Sequence, residues 1–215
     1  MTVAPLAHDG TCAQLLDESA LSEPPWSLMS IAPSARTLTS MNALETTHLR
    51  LAPWSPEHLL AMIDGAERFE TEAGVRLADG LREMFVSGEV SPAWIAQLRS
   101  APGPDPWTLG FAVVHREEDR VIGSAGFKGA PDGDGVVEIA YGIVPGHEQR
   151  GYATEAAKAL VAFALERVDV TTIRAHTKPV NNASGRVLAK CGFHHVGEVD
   201  DPEDGLVWRW ERVVG

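Results

Sequence analysis

The stretch covering residues 136–157, VVEIAYGIVPGHEQRGYATEAA, constrains this chain more than any other. Its first half is largely apolar, as in a buried strand, and from Tyr152 onward Ala156, Leu160, Phe163, Ala164 and Val168 recur at helical spacing. Pro145, Gly146 and Gly151 lie between, which predicts a strand ending at Pro145, a tight turn and an immediate helix. A helix that opens so abruptly leaves the N–H groups of its first turn without partners inside the helix. Those groups and the helix dipole together bind an anion. Gly151 lets a ligand come close to the backbone. A diphosphate uses several convergent amides without requiring a lysine, and the Gly-Lys-Ser/Thr ending of a P-loop is absent here.

The surrounding sequence places this unit in a sheet. Residues 44–51 alternate Thr47, Leu49 and Leu51 with His48 and Arg50, the pattern of a half-buried strand. Ser55-Pro56-Glu57 supplies a capping hydroxyl, a proline suited to a first turn and an acid at the positive end of a dipole, so a helix is expected to about Gly65. The Ser-Pro start recurs at Ser91-Pro92, and residues 76–85 between the two are also expected to be helical. Residues 107–115 and 120–128 read as a hairpin, 172–177 as a strand, 183–191 as a helix, and 193–199 with 206–212 as a closing hairpin. One strand-helix-strand crossover among antiparallel hairpins predicts an α/β domain, a mixed and mostly antiparallel sheet with helices on both faces. Pro5, Pro24, Pro25 and Pro33 interrupt the start without any sustained period, so residues 1–43 are expected to be an irregular extension ahead of a domain at 44–215. Leu15, Leu16, Leu21 and Trp26 would let that extension dock on the domain or on a second copy, and a homodimer is one expectation.

Charge and cysteine usage exclude several classes. A net charge of −12 without clustered Lys and Arg argues against nucleic acid as a partner. No apolar run approaches the roughly 18 residues of a membrane span, so no membrane partner is expected. Arg36 is the only Lys or Arg before Met41, against Asp9, Asp17, Glu18 and Glu23; this is unlike a secretory or transit segment, and a cytoplasmic location is expected. Cys12 and Cys191 are too few for a disulfide framework, and neither they nor His147, His176, His194 and His195 show metal-ligand spacing, so no metal is expected.

Gln149-Arg150-Gly151-Tyr152-Ala153-Thr154-Glu155-Ala156 resembles the pyrophosphate-binding motif of the GNAT N-acetyltransferases. Asn181-x-x-Ser184, followed by Gly192-Phe193, is similar to a segment of the RimJ/RimL branch of that superfamily, at the expected separation. The likeness runs in element order from about residue 44 to 212 and is specific mainly from Gly123 onward. It implies a GNAT fold with acetyl-CoA as cosubstrate, held in a splayed gap between the strand ending at Val144 and the strand beginning near Thr172. The implied donor-binding residues are Ile143, Val144, Gln149, Arg150, Gly151, Tyr152, Ala153, Thr154 and Asn181, the last toward the pantetheine arm. Arg186 and Lys190 share a helix face that either reaches the donor's 3′-phosphate or is simply solvated. One departure stands out: Glu148 occupies a position where the family usually has Gln or Arg, and Gln149 one where many members have Gly. A carboxylate beside a diphosphate repels it unless the side chain points into solvent.

Aminolysis of a thioester needs a neutral amine, a group that removes its proton and a stabiliser for the departing thiolate. Glu138 is the only carboxylate in the strand that leads into the donor site, and it matches a glutamate that serves as base in some GNAT enzymes; a structural ion pair is the other reading. Ser184 either donates a hydrogen bond to the thiolate or caps the helix that starts there. Asp200, Asp201, Glu203 and Asp204 form an acidic loop suited to a cationic amine, and Trp94, Trp107, Trp208 and Trp210 line an acceptor wall or pack in the core. Three functions remain open at this point. The first is an N-acetyltransferase acting on a small cationic amine such as an aminoglycoside-like antibiotic or a polyamine. The second acts on a peptide or protein N-terminal amine, as the RimJ/RimL likeness implies. The third is a catalytically silent CoA-binding sensor or interaction module.

Overall fold

The computed structural model describes residue 38 and residues 42–86, 90–201 and 205–214. All of them belong to a unit spanning Ala35–Gly215. Of the expected extension only Leu38, Asn42 and Ala43 fall among the described residues, so Cys12, the leucines 15, 16 and 21, and Trp26 lie outside them. Leu38 is 2% exposed and donates its N–H to Ala73 O at 2.9 Å, so this residue belongs to the core.

The chain opens with a short antiparallel pair, β1 (Leu44–Glu45) and β2 (Leu49–Pro53). Sequence periodicity over 44–51 suggested a single strand; the Thr46 hydroxyl breaks it, donating to Leu49 O at 2.8 Å and accepting from Leu49 N–H at 3.0 Å. Next come α1 (Pro56–Asp64) and α2 (Ala66–Ala73), which share Gly65 as a cap. Ser55 caps α1 as expected, accepting from His58 N–H at 3.2 Å, an interaction of about 1 kcal/mol. The helix expected over 76–85 is instead β3 (Arg76–Leu77) followed by α3 (Leu81–Phe85). Two causes act there: Arg76 and Leu77 pair in parallel with Arg120 and Val121, and Gly80 adopts φ +84°. Then follow α4 (Pro92–Ser100), β4 (Phe111–His115), β5 (Arg120–Phe127), β6 (Val136–Ile143), α5 (Tyr152–Leu165), β7 (Thr172–Thr177), α6 (Ala183–Lys190), β8 (His194–Asp201) and β9 (Gly205–Val213). β4 begins later than expected because residues 106–109 form a turn, tied by Asp105 to the Trp107 amide and the Thr108 hydroxyl.

The strands form one sheet in the order β1-β2-β4-β5-β6-β7-β9-β8, antiparallel except for β6 with β7 and for β3 beside β5. Ser124 and Phe127 lie an odd number of residues apart and so point to opposite faces. Phe127 meets Trp107 and Phe163 of α5, whereas Ser124 accepts from Trp54, which packs against Phe69 and Phe85 of α2 and α3. Helices therefore cover both faces, as the sequence pattern requires. Trp54, Phe69, Leu59, Met62 and Leu81 fill one layer and Ala156, Leu160 and Ala164 the other, each 2% exposed or less. Each large side chain so buried stabilises the fold by about 1.5–3 kcal/mol relative to exposure.

One break in the sheet positions the site. β6 pairs with β7 only over Val136, Val137 and Glu138, and with β5 only over Ile139 to Ile143. Beyond Glu138 the two parallel strands part, leaving a backbone edge of β6 open toward β7.

Candidate active site

The open edge of β6 leads into the diphosphate-type turn. Ile143 and Val144 are 8% and 1% exposed, and Val144 donates its N–H to Ile122 O at 2.9 Å while its carbonyl accepts from His147 N–H at 2.9 Å. Val144 therefore shapes the turn, and its own amide is already engaged by Ile122. A 3-10 turn, Pro145–His147, follows. Gln149 and Gly151 both take left-handed conformations, with φ +60° and +90°. That conformation costs an ordinary residue about 1–2 kcal/mol, so Gln149 is held there by the turn, at a position where a glycine would fit without strain. Among the described residues, the amides of 149 to 154 donate to nothing in the protein. The first amide returned to α5 is that of Glu155, to Gly151 O at 3.0 Å. Six consecutive main-chain donors without a protein acceptor thus lie at the positive end of a helix, where an anion is stabilised. Gln149, Arg150 and Gly151 are exposed beside them, and so is Glu148, whose carboxylate is free to stay in solvent.

Side chains lock this turn from beneath. Tyr152 is 9% exposed, and its hydroxyl lies 2.8 Å from His115 Nε2. Because Glu118 N–H donates to His115 Nδ1 at 3.2 Å, the His115 proton sits on Nε2 and is donated to Tyr152. The side chain of Tyr152 is thus committed to the fold, and its amide is left without a protein acceptor. His147 donates through Nε2 to Glu118 at 3.1 Å, and this hydrogen bond holds the Glu118 carboxyl below the usual carboxylate range. Glu155 fastens α5 to the β1–β2 turn, accepting from the Thr46 hydroxyl at 2.6 Å, His48 N–H at 2.7 Å and His48 Nδ1 at 3.0 Å. Burial acts to raise the Glu155 carboxyl, but those bonds outweigh it and hold it below the usual range.

Glu138 sits where the two strands part, and its side chain is 19% exposed. Lys128 Nζ at 2.8 Å and His176 Nδ1 at 3.1 Å both meet the same carboxylate oxygen, Oε1. Arg209 Nε, which can only donate, lies 3.4 Å from His176 Nε2, so the imidazole proton is on Nδ1 and points at Glu138. The structural and the chemical readings of Glu138 are therefore both present in one group. Oε1 is engaged by two donors, and Oε2 has no partner among the described residues.

Across the gap, Asn182 rather than Ser184 caps α6, accepting from Gly185 N–H at 2.8 Å. Ser184 is exposed in the first turn with its hydroxyl uncommitted, and Asn181 is exposed just ahead of it. Sequence reasoning overlooked Tyr141. Its hydroxyl reaches from β6 to Ser184 O at 3.4 Å, spanning the gap, and burial pushes its phenol above the ordinary range. The available signal was a lone hydroxyl in an apolar strand of the same unit. A cavity of about 350 Å³ opens on the α3 side of this region, lined by Met84, Phe85, Gly110, Ser124, Ala140 and Gly142. The larger groove, about 870 Å³, lies between α5, α6 and the β8–β9 pair and includes Lys158 and Lys190, but it lacks the convergent amides. The four tryptophans do not form one wall: Trp107 stacks on Phe127 and Phe163 in the core, while Trp208 and Trp210 flank His195. Glu203 and Asp204 of the acidic loop lie outside the described residues, and Asp200 is exposed. Among the described residues no group of His, Cys, Asp and Glu is arranged to hold a metal, and no helix is long and apolar enough to cross a membrane.

A splayed mixed sheet, with unpartnered amides at the helix after its central strand, defines an α/β protein with an open seam between two parallel strands and an anion-suited helix start beside it. Comparison with known proteins agrees: the acetyltransferase (GNAT) domain family matches residues 48–194. An uncharacterized N-acetyltransferase, YjdG of Bacillus subtilis, is 35% identical over 156 residues, covering 71% of this chain and 90% of that protein. The chain belongs to the GNAT family and is an acetyl-CoA-dependent N-acetyltransferase. Among solved structures, a candidate ribosomal-protein-serine acetyltransferase from Vibrio cholerae superposes with a TM-score of 0.56 at 16% identity, covering 82% of this chain and 99% of its own. A RimL ribosomal α-N-protein acetyltransferase in complex with coenzyme A gives 0.55 at 13% identity, covering 80% and 98%. At those identities the likeness shows the fold alone.

Proposed function

We propose that the chain moves an acetyl group from acetyl-CoA to a small primary amine by direct attack, with Glu138 as the base. Acetyl-CoA supplies an activated thioester. The amides of 149 to 154 hold its diphosphate, assisted by Arg150, and the open β6 edge at Ile139 to Ile143 offers hydrogen bonds to its pantetheine amides. The single observation carrying the catalytic role is the free Oε2 of Glu138 at the mouth of the gap. Lys128 and His176 fix the carboxylate through Oε1, so Oε2 is oriented to take the proton of an arriving ammonium, directly or through one water. The Ser184 hydroxyl stands across the gap, where a donor hydrogen bond would steady the departing sulfur, and Tyr141 reaches over from β6 to the Ser184 carbonyl.

A small acceptor suits the adjoining cavity of about 350 Å³, which is at the lower end of ligand-sized pockets. The net charge of −12 and the exposed Asp200 favour an amine that arrives protonated. The silent CoA-binding reading draws its support from Glu148, which is exposed at the edge of the turn. The test is a thiol-release assay across an amine library that includes polyamines, aminoglycosides and N-terminal peptides, beside calorimetry with acetyl-CoA. Turnover with small amines supports the proposal; peptide-only turnover favours an N-terminal acetyltransferase; acetyl-CoA binding with no turnover favours the sensor.

A further inference from the structure

On the sheet face that carries Glu138, the carboxylates of Glu138 and Glu211 are already matched. Lys128 meets Glu138 at 2.8 Å, and Arg174 meets Glu211 at 2.9 Å across the paired strands β7 and β9. Arg209 is the cation left over. It stands in register with His176 and spends only its Nε, on His176 Nε2 at 3.4 Å; among the described residues its two terminal amino groups meet no acceptor and no carboxylate. The side chain is only partly exposed, in a chain whose net charge is −12. An acidic protein has carboxylates to spare for pairing an arginine, so a half-buried guanidinium with both ends of its fork open is matched to an anion that arrives from outside. A planar fork of parallel N–H groups fits a carboxylate by two hydrogen bonds.

The position of this cation narrows the acceptor, on the reading of Glu138 given above. His176 bridges the two groups, with Nδ1 3.1 Å from Glu138 Oε1 and Nε2 3.4 Å from Arg209 Nε, so a single imidazole separates the base from the guanidinium. A small molecule whose amine sits at Glu138 can therefore reach Arg209 within a few bonds. A polyamine or aminoglycoside would bring a further ammonium against Arg209, whereas a carboxylate there is attracted.

We propose that the acceptor is an amino acid or similar amino-carboxylate, its amine at Glu138 and its carboxylate on Arg209. The experiment uses the full chain with acetyl-CoA and a thiol-release assay. Amino acids from glycine to 6-aminohexanoate are each set against the alkylamine of equal length without the carboxylate, with spermidine as the polycationic control. The expected result is a kcat/KM about tenfold or more higher for the carboxylate-bearing partner at the best spacing, in keeping with a charge-assisted bidentate contact. Arg209→Gln should abolish that advantage by raising KM for amino-carboxylates well beyond any rise for alkylamines, over and above a change in kcat common to both classes from the lost hydrogen bond to His176; Arg209→Lys should keep part of it. Preference of the wild-type protein for alkylamines or spermidine overturns the proposal, as does an equal effect of Arg209→Gln on both classes. If no amine of either class releases thiol while acetyl-CoA still binds by calorimetry, the transferase role of Glu138 fails, and the acceptor assignment falls with it.

Discussion

At the scale of single residues, the site is decided by which polar atoms remain uncommitted. Glu138 has one oxygen fastened by Lys128 and His176 and one without a partner among the described residues. Replacing it with Gln should lower kcat by about a hundredfold or more, the usual loss for a missing general base, while acetyl-CoA affinity stays nearly constant. Steady-state kinetics beside calorimetry measure both; a purely structural glutamate would instead lower the unfolding temperature and leave kcat alone. Gly151 makes a different prediction. A Cβ there meets nothing within 4 Å, so any penalty comes from its φ of +90° and not from crowding. Gly151→Val should therefore distort the turn and weaken acetyl-CoA binding by about tenfold, corresponding to the 1–2 kcal/mol of left-handed strain, with little loss of core stability. Sequence alone left Ser184 balanced between capping and catalysis. The cap turned out to be Asn182, a choice between neighbouring residues that depends on the local backbone path and not on residue type.

At the scale of elements, α5 is pinned at its start to the β1–β2 turn by Glu155. Its carboxyl is held below its ordinary range, so its stabilising contribution is complete above the unfolded-state value, about pH 4.3, and disappears as pH falls through the folded-state value. Urea unfolding of the wild type and Glu155→Gln should then differ by a steady amount near neutral pH, and the two curves should converge on acidification below about pH 4. The Ser55 cap, the hairpins and α5 were readable because their signals lie within a few residues of one another. Two elements were not. α2 follows directly on Gly65, which ends one helix and begins the next, so a residue read as a stop also served as a start. Residues 76–77 became a strand because they found a partner at Arg120 and Val121, far away in the sequence and invisible to local periodicity.

For the molecule as a whole, the parting of β6 from β7 is the central feature, since it leaves paired strands on both flanks and an open seam between them. Acetyl-CoA that fills the seam should protect a contiguous set of amides from hydrogen exchange: those of 139–143, those of 149–154 and those on the β6 side of residues 175–177. The α1–α2 pair should change little. At a donor concentration a hundred times its Kd, the unfolding free energy should also rise by about 2.7 kcal/mol, measurable as a higher melting temperature. Protection spread evenly over the sheet, or confined to the groove beside Lys158 and Lys190, would place the donor elsewhere.

The sequence by itself determined the strand-turn-helix unit from Val136 to Leu165, because helix-start geometry, glycine placement and apolar period are all written within one short segment, and the motif inside it carried the resemblance to the family. It also marked Glu138 as unusual. Only the tertiary structure decided that Tyr141 faces Ser184 and that, among the described residues, Glu138 keeps one oxygen without a partner and Arg209 meets no carboxylate. Each of these depends on strands brought side by side from distant parts of the chain, and pairing across a sheet is set by the global packing of hydrophobic faces, which no local pattern encodes.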